Sequence, residues 1–127
     1  MKRFLFLGGL MGALGVAAGA FGAHVLKSRL EPALLAAFHT AARYHLVHAL
    51  ALLLVALLIE RSPRRSLSFA GWSFFAGIVL FSGSLYLMAV TSVRALGAIT
   101  PLGGLAFIAG WIAVAMSARS SNKIASR

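Results

Sequence analysis

The sequence predicts an all-α membrane protein in which four transmembrane helices form a bundle. Of the 127 residues, 61% are hydrophobic and only 11% are charged, and the charged residues lie at the ends of long apolar stretches. This composition is outside the range of soluble globular domains. We therefore expect a single transmembrane domain, 1–127, with spans at about residues 4–23, 40–59, 69–90 and 102–118.

The first span is apolar throughout and carries five glycines at alternating steps of four and three residues: Gly8, Gly12, Gly15, Gly19 and Gly22. This spacing places all five on one side of a helix. In water each would weaken a helix by about 1 kcal/mol relative to alanine, whereas in lipid it lets a second helix approach closely. We expect the stripe to pack against the second or third span of the same chain. A cleaved signal peptide is the alternative, but its apolar stretch is usually only about 7–15 residues long.

The second span reaches the required length of about 20 residues only if it begins near Thr40. Arg43 must then extend outward to the membrane surface. Upstream, Ser28 is a candidate cap for a helix that begins near Glu31 and Pro32. One continuous helix from there to the end of the second span would be roughly 43 Å long. Because this exceeds the membrane thickness, we expect a bend, or a short interfacial helix between spans one and two.

The basic residues predict the orientation of the bundle. Eight lie at the end that holds both termini and the link between spans two and three: Lys2, Arg3, Arg61, Arg64, Arg65, Arg119, Lys123 and Arg127. Four lie at the other end: Lys27, Arg29, Arg43 and Arg94. The positive-inside rule therefore places both termini in the cytoplasm. These residues form no dense patch, so we expect the lipid bilayer as partner and no nucleic acid.

Small residues also line the later spans. Span four carries Gly103, Ala106, Gly110, Ala113 and Ser117, and span three carries Ser73, Gly77 and Ser84. Such residues allow close packing of helices within a small bundle. Four short helices cannot bury every face of this kind inside one chain, so a homo-oligomer is a candidate assembly.

Polar side chains within the spans or at their ends form the candidate site: His24, His45, His48, Ser82, Ser84 and Tyr86. His45 and His48 are three residues apart and share a helix face, which suits two ligands of one metal or haem, with His24 and His39 nearby. His48 is the deepest of them and a candidate for proton relay. The alternative for each histidine is a hydrogen bond to a neighbouring helix. The chain has no cysteine, and no acid within the spans completes a ligand set, so we expect no metal or other cofactor.

The outer link between spans three and four contributes two candidate interfacial residues, Arg94 and Thr100. We expect Arg94 at the lipid interface, with an ion pair to Glu31 as the alternative. Thr100 and Pro101 open span four as a cap and a first helical residue. No carboxylate pair, Ser-His-Asp set or phosphate-binding glycine loop is present, so we do not expect an enzyme.

Four motifs occur in order: Gly-Ala-Phe-Gly-Ala-His at 19–24, Tyr-His-Leu-Val-His-Ala-Leu-Ala at 44–51, Phe-Ser-Gly-Ser-Leu-Tyr at 81–86, and Thr-Pro-Leu-Gly-Gly at 100–104 followed by Gly110 and Trp111. Through them the chain resembles the YgdD-like inner-membrane proteins, also called the domain-of-unknown-function 423 family. The resemblance implies a small four-span protein of the bacterial inner membrane and supplies no activity. Such proteins often have glutamine in place of His45, which leaves His24 and His48 as the better site candidates.

The leading functional hypothesis is a non-enzymatic membrane protein that acts in packing or assembly. A small transporter or channel for protons, metal ions or a small solute is the first alternative. Against it, a coupled exporter should hold an acid within a span, whereas Glu31 and Glu60 lie outside the spans. A haem- or metal-binding membrane protein is the second alternative. We also expect the glycine stripe to hold His24, His48 and Tyr86 close together.

Overall fold

The computed structural model of the protein describes residues 1–119, and within them the chain forms helices and turns without any strand. Five α-helices follow one another: α1 (Lys2–His24), α2 (Pro32–Arg61), α3 (Arg65–Gly77), α4 (Gly83–Thr91) and α5 (Thr100–Arg119). Two 3-10 helices and one π-helical turn connect them: Leu26–Ser28, Arg94–Ala98 and, between α3 and α4, Ile78–Ser82.

These elements combine into four helical segments that are long and apolar enough to cross a membrane: Lys2–Ser28, Pro32–Arg61, Arg65–Thr91 and Arg94–Arg119. The predicted bundle of four membrane helices is thereby confirmed. Each predicted span lies inside one of these segments. Lys123 and Arg127, which contributed to the predicted orientation, lie outside the described residues.

The helix predicted from Pro32 is present, but it continues without a break into the second span. α2 contains 30 residues, which corresponds to about 45 Å. Residues 33–61 include no glycine or proline that would interrupt it. Only the 3-10 turn Leu26–Ser28 lies between the first two spans. Ser28 as helix cap was wrong, because the N-cap residue is Glu31 and Pro32 occupies the first turn.

Phenylalanine rings pack against glycines of neighbouring helices throughout the bundle. The pairs are Phe38 with Gly22, Phe4 with Gly71, Phe107 with Gly77, and Phe74 with Gly110. A Cβ atom on Gly110, for example, would lie only 2.6 Å from the Phe74 ring. The missing side chains therefore let large rings fill the space between helices, and Phe4, Phe74 and Phe107 belong to one buried core.

The glycine stripe of α1 divides into two lines. Gly8, Gly15 and Gly22 face α2, where a Cβ atom on any of them would come within 2.7–2.8 Å of a leucine or phenylalanine side chain. Gly12 and Gly19 have no atom within 4 Å of that position. The second span is thus the partner of the stripe, but it covers only the three glycines that repeat every seven residues.

Candidate functional site

His48 lies in the middle of α2 and uses both ring nitrogens in hydrogen bonds. Its Nδ1 is 2.7 Å from the carbonyl oxygen of Tyr44, and its Nε2 is 3.1 Å from the indole Nε1 of Trp111. A carbonyl only accepts and an indole N–H only donates. The geometry therefore requires a proton on Nδ1 and none on Nε2, which is the neutral imidazole.

Aromatic rings enclose the same histidine. The ring of Phe107 stacks on the imidazole with centroids 3.5 Å apart and planes inclined by 11°. The rings of Phe74 and Trp111 approach at 5.6 and 5.9 Å. His48 is buried, so a second proton on Nε2 would lose the indole donor and place a charge among apolar rings.

His45, one turn earlier in α2, has only one hydrogen-bond partner. Its Nδ1 lies 2.9 Å from the hydroxyl of Tyr86 in α4. Its Nε2 is buried and has no hydrogen-bond partner among the described residues. The imidazole edge points at Gly15 of α1, since a Cβ there would lie 3.4 Å from the His45 Cδ2. The bare backbone of α1 thus makes room for the ring, and the main chain of Met11, one turn before Gly15, is the polar group of α1 that faces the imidazole.

Both predicted serines bond across or along helices. The hydroxyl of Ser82 donates to the carbonyl of Ala41 at 2.8 Å, and it is fully buried. The hydroxyls of Ser84 and Thr100 lie 2.7 Å apart and join α4 to the start of α5. The π-helical turn Ile78–Ser82 separates α4 from α3. Ser82 is its last residue and Ser84 lies two residues beyond it, so the turn sets the direction in which both serines point.

The structure does not bring His24, His48 and Tyr86 together. His24 is exposed at the end of α1, two residues after Gly22. Two residues correspond to about 200° around a helix, so His24 points away from the face that meets α2. His48 bonds to α5 and Tyr86 bonds to His45, with no hydrogen bond between these two groups in the described chain.

The histidine pair also does not converge on one point. His45 reaches α4 and His48 reaches α5, although they are three residues apart on α2. Residues 1–119 include no group of three or more His, Cys, Asp or Glu side chains that could hold a metal ion. The arrangement is chemically a set of neutral donors and acceptors that link helices.

Arg94 pairs with Glu31, and both side chains are more than half exposed. This contact matches the alternative considered for Arg94 and joins the outer link to the start of α2. The carboxylate of Glu31 makes no cap bond to α2.

The partners of His48 were not foreseen. The indole of Trp111 is the donor that sequence reasoning missed, and Phe107 is the ring that stacks on the imidazole. One feature of the sequence could have identified Trp111: an indole N–H within a membrane span needs an acceptor from another helix. Nothing in the sequence marks Phe107 among nine phenylalanines.

A bundle of four apolar helices with a small internal set of hydrogen-bonded polar side chains defines an integral membrane protein. The family described as "Protein of unknown function (DUF423)" matches residues 18–104. The chain belongs to this DUF423 family, and the family part of the predicted resemblance is confirmed. The YgdD-like label stays a prediction.

Relatives from bacteria match nearly the whole chain. UPF0382 membrane protein YwdK of Bacillus subtilis is 50% identical over 119 residues, which cover 93% of this chain and 97% of that protein. UPF0382 membrane protein SH2409 of Staphylococcus haemolyticus is 44% identical over 117 residues, covering 92% and 95%. No solved structure matches the chain. The names of these relatives agree with the membrane architecture.

Proposed function

We propose that this protein is a non-enzymatic membrane component that acts through packing and assembly. One observation carries the proposal: the buried polar side chains bond to one another or to the main chain, while glycines of α1 remain uncovered at the surface. The internal hydrogen bonds support a structural role for the polar side chains. The uncovered glycines support a surface of α1 that packs against another helix.

The uncovered surface of α1 consists of Gly9, Gly12 and Gly19, none of which has an atom within 4 Å of a Cβ position. Val16 lies between them and is 62% exposed. Small residues four apart, such as Gly19 and Ala23, let two membrane helices approach backbone to backbone. The occupant we propose is α1 of a second copy of this chain, which gives a homo-oligomer.

The oligomeric state in lipid nanodiscs tests this proposal, with single-molecule photobleaching or cross-linking as the readout. Gly12→Leu should shift the protein toward monomer, because the leucine fills the close approach between helices. Ala17→Leu is the matched control, since it adds a similar side chain on α1 about 140° away. A wild-type protein that is strictly monomeric, or a Gly12→Leu variant that associates like wild type, would refute the assembly.

A second candidate function is proton or solute passage through the bundle. The observation that favours it is the buried Nε2 of His45, which forms no hydrogen bond of normal geometry among the described residues and lies beside Tyr86 and the π-helical turn, because such turns are frequent at functional sites. Proteoliposomes with an internal pH indicator test it. Flux that His45→Gln abolishes would favour passage over assembly, and flux equal to that of empty liposomes would exclude proton passage.

We also propose a bacterial inner-membrane location with cytoplasmic termini. Six basic residues of the described chain support this orientation at the end with the α2–α3 turn: Lys2, Arg3, Arg61, Arg64, Arg65 and Arg119. Because the chain contains no cysteine, Ser62→Cys and Ser92→Cys give clean single labels at opposite ends. A membrane-impermeant thiol reagent added outside intact cells should label Ser92→Cys alone, and the reverse pattern would invert the proposed topology.

A further inference from the structure

An apolar groove runs along the outer surface between α3 and α5. It has a volume of about 490 Å³, within the range of about 300–1,000 Å³ for small-molecule sites. Its floor consists of alanines and its walls of larger exposed side chains: Ala109, Ala113, Phe69, Ile112 and Met116. The shape is that of a channel for a narrow apolar chain that enters from the lipid side.

Polar residues close one end of this groove. Arg65 and Ser66, at the start of α3, line its mouth. Arg65 also lines an adjoining cavity of about 370 Å³ together with Arg64 and Ser68. Arg65 lines both cavities, so the apolar groove beside the helices and the basic, hydroxyl-rich cavity at the end of the bundle meet at this residue.

The charge at this end is strongly unbalanced. Arg61 and Arg64 line a third cavity with Ser62, and the Nε of Arg64 donates to the Ser62 hydroxyl at 3.0 Å. Glu60 is the one carboxylate of the described chain at this end, and it lines a cavity with Arg61. It forms no salt bridge, since the only one among the described residues is Arg94–Glu31, so the three arginines outnumber the single acid.

The start of α3 adds to this imbalance. The first turn of the helix contains no acid, and its N-cap residue, Arg64, makes no side-chain cap bond. A helix N-terminus favours negative charge, whereas this one begins with cations. An anion at the groove mouth would satisfy both the arginines and the uncapped N–H groups.

We propose that the groove between α3 and α5 is a binding site for an anionic phospholipid. Arg64 and Arg65 hold its phosphate, and one acyl chain lies along the alanine floor. Charge complementarity selects the head group, because basic pockets at the ends of membrane helices bind anionic lipid head groups. The meeting of the two parts at Arg65 selects a lipid over a free anion, since only a lipid fills both.

Lipid retention measured by native mass spectrometry tests the site. Full-length protein is taken from nanodiscs that contain equal amounts of phosphatidylglycerol and phosphatidylethanolamine, and the retained lipids are counted. The wild type should be enriched in phosphatidylglycerol. Arg64→Gln combined with Arg65→Gln should weaken this retention by roughly 30-fold, given the usual contribution of two basic residues near an anionic surface. Lys27→Gln combined with Arg29→Gln removes the same charge at the other end and should retain lipid as the wild type does.

The apolar half of the site has its own test. Ala109→Leu fills the floor without changing the charge and should reduce retention, whereas Ala115→Leu adds the same group at an exposed position outside the groove and should not. Thermal unfolding of each variant in detergent separates lost binding from lost folding. Equal retention of the two lipids by wild type, loss in the Lys27/Arg29 control, or displacement of the lipid by inorganic phosphate alone would overturn the proposal.

Discussion

The strongest test of the packing concerns two adjacent glycines at the start of α5. A Cβ atom on Gly103 would lie 2.6 Å from the Cβ and 2.7 Å from the Cα of Phe81, and it would also meet the Phe81 main-chain nitrogen. On Gly104 the nearest atom would be the Phe81 Cδ2, at an ordinary 3.9 Å. Gly103→Ala and Gly104→Ala therefore make the same chemical change one residue apart, with opposite steric consequences.

The expected loss of stability on Gly103→Ala follows from the Phe81 main chain, which the new methyl group would meet. Carbon atoms pack at about 3.5–4.0 Å, so Gly103→Ala requires α5 to move from Phe81 by about 1 Å. Overpacking usually costs about 1–3 kcal/mol. Because a main chain cannot rotate aside as a side-chain end does, we expect about 3 kcal/mol, the upper end of this range. That amount shifts the folding equilibrium by about two powers of ten.

Reversible unfolding in mixed micelles, followed by tryptophan fluorescence, measures both variants. Gly104→Ala should be neutral or slightly stabilising, because alanine favours a helix over glycine and meets no obstacle. Free energies of unfolding that differ by less than about 0.5 kcal/mol between Gly103→Ala and Gly104→Ala would refute this contact, since overpacking costs more than that. Such a result would mean that α5 does not pack against the main chain of the third span.

Three further changes test individual polar contacts by the same unfolding measurement. Trp111→Phe removes the donor to His48 Nε2 and should cost about 1 kcal/mol, as expected for a buried acceptor left without a partner. Tyr86→Phe removes the partner of His45 Nδ1 and should cost about 0.6 kcal/mol, the usual value for polar contacts between membrane helices. Arg94→Gln breaks an exposed ion pair and should change stability by less than about 1 kcal/mol.

Controls for these changes are available in the same chain. Trp72→Phe also replaces an indole by a phenyl ring, but Trp72 packs edge-to-face on Phe4 and lies away from His48. A double-mutant cycle of Trp111→Phe with His48→Phe isolates the hydrogen bond from the loss of ring volume. A coupling energy near zero in that cycle would contradict the tautomer assigned to His48.

The glycine stripe shows which structural features the spacing of residues predicts and which it does not. The steps of four and three predict a membrane helix with one bare side, and the structure has that helix. Which glycines meet a neighbour depends on how two helices wind around each other. Gly8, Gly15 and Gly22 follow the seven-residue repeat that a left-handed pair of helices maintains. The sequence contains this repeat together with Gly12 and Gly19, so the spacing alone cannot select among them.

The polar site was predicted less well, for a different reason. Sequence identified His45, His48, Ser82 and Ser84 as polar groups inside the membrane, and all four are buried. Their partners depend on small rotations: residues three apart differ by about 60° around α2, which is enough to reach different helices. The π-helical turn within the third span interrupts what the sequence presents as one regular helix. His24 is the exception, because a helical wheel places it opposite the stripe without any structure.

The two surfaces proposed for binding lie on different helices, and this makes their tests independent. The open glycines belong to α1, which packs mainly on α2, whereas the lipid groove lies between α3 and α5. Distant substitutions without shared partners have additive effects. Gly12→Leu should therefore leave phosphatidylglycerol retention unchanged, and the Arg64/Arg65 variant should leave the oligomeric state unchanged. If either variant changes both readouts, lipid and protein partners compete for or share one surface, and the two proposals cannot both stand as argued.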